Sequence, residues 1–133
     1  MFGENVVKKN KVTQKSEALK YAGRGLPVIP LHTILEGRCS CGGVDCARPG
    51  KHPRTSHGIK DATTDRNQIK AWWGEWPNAN IGLAPGRGRD ILVLDIDPRH
   101  GGNKTLRQLK RKLGALPETV TAKTGGGGWH LFF

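Results

Sequence analysis

Acidic residues are scarce in this chain: 11 Asp and Glu stand against 22 Lys and Arg, and the formal charge is +11. That imbalance argues against a cationic partner. It points to polyanions, nucleic acid first, held by contacts that weaken with salt. Long apolar runs are missing too. None approaches the roughly 20 residues that cross a bilayer, so no membrane partner is expected. Met1 to Lys15 contains no apolar segment of the kind that heads a secretory signal. Cysteine is limited to three, all between Cys39 and Cys46. An odd, clustered set excludes a disulfide framework and fits a reduced, cytoplasmic protein. Internal repeats are absent, and 133 residues suit one domain with a modest core.

What is present centres on Ile91-Leu92-Val93-Leu94-Asp95-Ile96-Asp97, followed by Pro98 and Gly101-Gly102. A bounded apolar run reads as a buried strand. Side chains alternate along a strand, so Asp95 and Asp97 share a face with Cα atoms about 6.6 Å apart. Buried carboxylates are costly unless paired or bound to metal. The pair is therefore a candidate metal site, or else two solvated acids at a strand end.

Residues 1–15 read as a flexible basic leader. Ser16 suits an N-cap for a helix from Glu17 to Arg24, and Leu26–Leu31, with two prolines, suits an edge strand. Residues 37–58 have almost no apolar content, and a loop of that length needs another source of order. Cys39, Cys41, Cys46 and His52 form a set of four tetrahedral zinc ligands, with His57 or His32 as the alternative fourth. Four ligands leave no open position, so this zinc would be structural. The flanking Arg38, Arg48, Lys51 and Arg54 are candidates for phosphate contact.

Asp65 caps a second helix, where Ile69, Trp72, Trp73 and Trp76 recur at i, i+3, i+4 and i+7. That spacing places the tryptophans in a core rather than on a base-stacking surface. Asn80–Ala84 reads as a strand. Pro85–Asp90 reads as a basic turn, either substrate-facing or an ordinary hairpin, that returns antiparallel into the Asp95 strand. A third helix, capped by Asn103, has a narrow Leu106, Leu109 and Leu113 stripe and ends at Gly114. Its other face carries Lys104, Arg107, Lys110, Arg111 and Lys112, either simply solvated or in contact with nucleic acid. Glu118–Thr124 alternates as a strand, and Gly125, Gly126, Gly127 and Gly128 turn it into Trp129–Phe133. Backbone amides of such glycine turns bind phosphates. His130, the first polar residue after the turn, is a candidate phosphate ligand, the alternative being a satisfied core histidine.

Gly58-Ile59-Lys60-Asp61-Ala62-Thr63, Trp72-Trp73, Asn80-Ile81-Gly82, Leu94-Asp95-Ile96-Asp97-Pro98 with Gly101-Gly102, Leu116-Pro117-Glu118-Thr119 and Thr124 to Leu131 occur in order. From about Ser16 onward the chain resembles the N-terminal domain of bifunctional DNA primase/polymerases. These belong to the archaeo-eukaryotic primase superfamily, common on plasmids, phages and prophages. The resemblance implies an α/β (α+β) core related to the RNA-recognition-motif architecture, mostly antiparallel, with flanking helices and a zinc-binding insertion at about residues 37–58. It implies that Asp95 and Asp97 hold catalytic Mg²⁺ or Mn²⁺, that His130 contacts the nucleotide's phosphates, and that the cysteine–histidine segment holds Zn²⁺. The implied partners are DNA template and primer, nucleoside triphosphates, and a replicative helicase or a further chain that completes the domain. Two departures stand out. Trp129 occupies a position usually Arg- or Lys-like. The family's third metal-binding acid lies well beyond the histidine, whereas this chain ends three residues after His130. The expectation is a partial catalytic domain over residues 16–133, with a non-catalytic, zinc-stabilised nucleic-acid-binding protein as the alternative.

Overall fold

A computed structural model describes residues 11–86 and 90–133. The first ten residues of the expected leader, and Arg87, Gly88 and Arg89 of the basic turn, lie outside the described residues. The chain forms two compact units, Met1–Ala84 and Pro85–Phe133.

The first unit begins with helix α1, Gln14–Gly23. Its N-cap is Thr13, whose Oγ1 accepts from the Ser16 amide at 3.1 Å, while the Thr13 amide donates to Ser16 Oγ at 3.0 Å. This reciprocal capping box satisfies two otherwise orphaned donors. The helix therefore starts earlier than the expected Ser16 cap, and Ser16 takes the third helical position. Helix α2, Arg66–Glu75, is capped by Asp65, which accepts from the Asn67 amide at 2.8 Å. The two helices pack through Ala18, Ala22, Ile69 and Trp73, with Val28 and Ala79 completing the buried cluster. Trp73 is 1% exposed and donates from Nε1 to the Ala79 carbonyl at 3.1 Å. Trp72 and Trp76 pack partly buried against the same cluster, as the helical spacing anticipates. Trp73→Ala is expected to lower stability by about 3–5 kcal/mol, through lost burial and an unfilled cavity. Urea denaturation followed by circular dichroism measures it.

Strand β1, Val28–Leu31, pairs antiparallel with a later strand, Asn80–Leu83. Between them come β2, Ile34–Leu35, and β3, Arg38–Cys39, a small antiparallel hairpin. Its turn residues Glu36 and Gly37 have φ of 48° and 77°, the left-handed pair that a type I′ turn needs. Asn80–Leu83 is thus β4 in chain order. The second edge of β1 is occupied by the loop after the cysteines: the Arg54 amide donates to the Pro30 carbonyl, and the His32 amide to the His52 carbonyl, both at 2.9 Å. Proline tolerates this place because its carbonyl is used and its missing N–H is not needed.

The second unit contains β5, Val93–Ile96, helix α3, Gly102–Leu113, β6, Val120–Lys123, and β7, Trp129–Phe132. The strands form one antiparallel sheet in the order β5-β7-β6. The glycine turn does join β6 to β7 as a hairpin. The expected hairpin between β4 and β5 does not form. β4 pairs with β1 and β5 pairs with β7, because each finds its apolar partner far away in sequence and a Pro/Gly-rich turn serves a linker as well as a hairpin. Helix α3 also departs from expectation. Its N-cap is Gly101, with φ of 74° and no side-chain cap, and Asn103 lies within the first turn. The Gly102 amide instead donates to the Asp97 carbonyl at 2.9 Å. Leu106 and Leu109 face Leu94 and Ile96 across a shallow groove of about 230 Å³. The architecture is mixed α+β with small antiparallel sheets. Among the described residues no helix is long and apolar enough to cross a membrane.

Candidate functional site

Two groups of candidate residues are assembled, one in each unit. In the first, β3 delivers Cys39, the following turn delivers Cys41 and Cys46, and the segment against β1 delivers His52. One ligand atom from each lies within 4.8 Å of the others. Cys39 Sγ and Cys46 Sγ lie 3.4 and 3.5 Å from His52 Nε2. Ordinary zinc bond lengths place tetrahedral S···N edges at about 3.5 Å, so the donor set and its spacing fit zinc. The alternatives are placed elsewhere. His57 Nδ1 meets Asp61 at 3.1 Å and is exposed. His32 stacks on His52 with ring centroids 4.3 Å apart, its Nδ1 on Ser40 Oγ.

The thiols influence one another's ionisation. Burial opposes ionisation of Cys39, but the Gly50 and Cys41 amides, with His52, bring its pKa down to about 6. At Cys46 the Arg48 amide favours the thiolate, yet burial and the neighbouring Cys39 push the pKa up. Converging thiolates repel one another until a cation joins them.

Residues distant in sequence buttress this centre. Ser40 Oγ accepts from Arg54 Nη2 at 2.8 Å and from the Thr33 amide at 3.0 Å. Asn80, at the start of β4, donates to the carbonyls of His32 and Gly50 at 3.2 and 3.0 Å. Sequence reading placed Arg54 among the phosphate-contacting cations. Its guanidinium instead binds Ser40 and the Leu31 carbonyl and lies 5.6 Å over the Trp76 ring. Arg38, Arg48 and Lys51 are exposed. A cleft of about 780 Å³ beside Arg54 is lined by Lys60, Asp61, Asp65, Trp72 and Trp76 as well. Its two cations are balanced by two carboxylates, so it is not the basic surface that the net charge requires.

In the second unit, strand register sets the geometry. Asp95 on β5 lies directly opposite His130 on β7, with Val93 opposite Phe132 on the same face. His130 Nε2 is 3.5 Å from Asp95 Oδ1, with 63% of the Asp95 side chain exposed. The other face carries Leu94 and Ile96 and is covered by α3. Asp97 caps the 3₁₀ turn Pro98–His100. Its Oδ1 accepts from the Arg99 amide at 2.9 Å and from Arg99 Nε at 3.1 Å. Its Oδ2 accepts from Arg99 Nη2 and from His100 Nδ1, both at 3.0 Å. The Arg99 side chain, then its amide and His100, hold the Asp97 carboxyl far below the usual carboxylate range. Arg99 and His100 were not singled out from the sequence. Their signal was the spacing Asp-Pro-Arg-His, which fits a side-chain-capped turn.

The glycine turn is less uniform than its sequence. The Gly127 amide donates to the Thr124 carbonyl at 3.0 Å, and the Gly128 amide to Thr124 Oγ1 at 2.9 Å. Only the Gly125 and Gly126 amides lack an acceptor among the described residues. Gly128 packs so tightly on the end of β5 that a Cβ would overlap the Ile96 carbonyl oxygen. Trp129 sits opposite Ile96. Among the described residues, the cysteine–histidine set is the one group of three or more such ligands gathered around a common point. Asp95, Asp97 and His130 are neighbours without closing into one.

A family model described as bifunctional DNA primase/polymerase, N-terminal, matches residues 18–133. No curated protein and no solved structure matches the chain significantly. With nearly all of its length matched, the chain belongs to the family of N-terminal domains of bifunctional DNA primase/polymerases.

Proposed function

We propose that this protein carries out template-directed nucleotidyl transfer in the replication of a plasmid, phage or prophage. The observation that carries the reading is the cross-strand pairing of Asp95 with His130 beside the glycine turn. It puts a carboxylate and a phosphate-binding group on one face of one sheet. Asp95 and Asp97 are the residues that would hold Mg²⁺ or Mn²⁺, since both are hard oxygen donors. When bound, such an ion neutralises charge on the α-phosphate and lowers the pKa of the attacking 3′-hydroxyl. His130 donates to the triphosphate, and the Gly125 and Gly126 amides supply two further donors. The exposed Lys104, Arg107, Lys110, Arg111 and Lys112 of α3 hold template and primer through their phosphates. Zn²⁺ on Cys39, Cys41, Cys46 and His52 supports the first unit and takes no part in the chemistry.

A second reading has its own support. All acceptor positions of Asp97 are filled by Arg99 and His100, and no third carboxylate is gathered beside the pair among the described residues. That suits a zinc-stabilised nucleic-acid-binding protein without catalysis. The test is nucleotide incorporation on primed and unprimed single-stranded templates with Mn²⁺ or Mg²⁺. Activity that falls to background in Asp95→Asn is the expected result. Salt-sensitive DNA binding with no incorporation by the unaltered protein would select the second reading.

A further inference from the structure

Arg99 has a place that none of these roles uses. Its guanidinium grips both oxygens of Asp97. Its Cζ, Nε and Nη2 also lie 3.6–3.7 Å from the point where Gly126 would carry a Cβ. The planar head therefore bridges the carboxylate and the glycine turn. An ionised carboxylate has about four lone-pair positions. Those of Asp97 are taken by the Arg99 amide, Nε and Nη2 and by His100 Nδ1. A divalent cation can reach Asp97 only by displacing a donor. The Arg99 side chain is the one to yield, because its permanently cationic head would otherwise stand against the metal and it supplies two of the four donors.

We propose that Arg99 is an exchangeable counter-ion. It occupies Asp97 in the metal-free protein, gives way to the divalent cation, and then binds the nucleotide's triphosphate over Gly125 and Gly126. The inference rests on reading Asp95 and Asp97 as the metal-binding pair. A guanidinium suits both stations, since its fork matches carboxylate and phosphate alike. Released beside the turn, it meets an anion at the amides that remain unpaired. The exchange makes metal and triphosphate favour one another, and thermodynamic linkage makes that coupling reciprocal.

The experiment uses the full chain loaded with zinc. Free Mn²⁺ is followed by electron paramagnetic resonance, and dGTP binding by calorimetry with and without Mn²⁺. In Arg99→Ala, Mn²⁺ alone should bind about two- to fivefold more tightly, the scale of one exposed ion pair. Binding of dGTP in the presence of Mn²⁺ should weaken by a similar factor. Arg99→Lys, which keeps the charge and loses the fork, should fall between, and it serves if the alanine variant is poorly folded. If Arg99 only positions Asp97, its removal leaves Mn²⁺ affinity unchanged or weaker, and that result overturns the exchange. Asp95→Asn separates the two levels. It should abolish this Mn²⁺ binding in both backgrounds. Mn²⁺ binding indifferent to Asp95 would overturn the metal reading, and the exchange with it.

Discussion

Removal of zinc is expected to unfold the segment that runs from β2 to His57 and to weaken the whole first unit. Hydrogen bonds tie this segment to β1 and Asn80, but little apolar burial orders it. Leu35 and Val44 are 55% and 97% exposed, and Cys39 is its buried apolar residue. Structural zinc contributes about 10–16 kcal/mol to the folding of zinc-finger peptides. The α1–α2 core and the β1–β4 pair contribute stability of their own, so only part of that effect is expected to fall on the unit. A loss of even 2 kcal/mol lowers the thermal midpoint by roughly 8–16 °C in a unit of this size. Cys39→Ser should abolish zinc content as read by elemental analysis and lower the midpoint in that range. His57→Ala should change neither, since His57 faces Asp61. Zinc affinity should also rise with pH. The lowered pKa of Cys39 eases its ionisation, but Cys46, with its raised pKa, must release a proton to bind. Purified protein without zinc, or zinc that survives Cys39→Ser, would sink the assignment.

The second large effect is expected at one glycine out of four. Gly128→Ala places a methyl group against the Ile96 carbonyl, with Pro98 Cδ also only 3.0 Å away. The obstacle is backbone and cannot rotate aside, so β7 must move off β5. We expect a loss of about 3 kcal/mol, at the upper end of the usual overpacking range, together with loss of nucleotide binding as Asp95 and His130 separate. Gly125→Ala meets no atom within 4 Å and needs no unusual backbone angle, so stability should change by no more than about 0.5 kcal/mol. Gly127, with φ of 82°, lies between, at about 1–2 kcal/mol for the left-handed conformation. Chemical denaturation of the three variants measures the series. Equal effects at Gly125 and Gly128 would contradict the packing described above.

Elements with a strong local signature were readable in advance. The Ile69, Trp72, Trp73 and Trp76 spacing located both α2 and its buried face. The apolar run through Ile96 located β5, and the alternating Val120 segment with the glycines located the β6–β7 hairpin. The caps fell on other residues than the sequence pattern suggests, Thr13 in place of Ser16 and Gly101 in place of Asn103. Only the arrangement of backbone donors decides between them. The supposed β4–β5 hairpin went wrong for a related reason. Adjacent strands often pair, but pairing is settled by which apolar edge is available, and β1 lies some fifty residues upstream of β4.

The sequence by itself determined the chemistry this protein has to work with: three thiols and a histidine in a segment with almost no apolar content, two acids ending a strand, a histidine behind a glycine turn, and twice as many cations as acids. Residue type and local spacing carry those facts. The tertiary structure alone decided which groups meet. It selected His52 over His57 by seating the loop against β1, and it set Asp95 opposite His130 through the strand register. It closed the acceptor positions of Asp97 with Arg99, and it left two of four glycine amides open. The first two depend on contacts formed across the fold, set by packing rather than by distance along the chain, whereas the last two are turn contacts within four residues that depend on the exact backbone path.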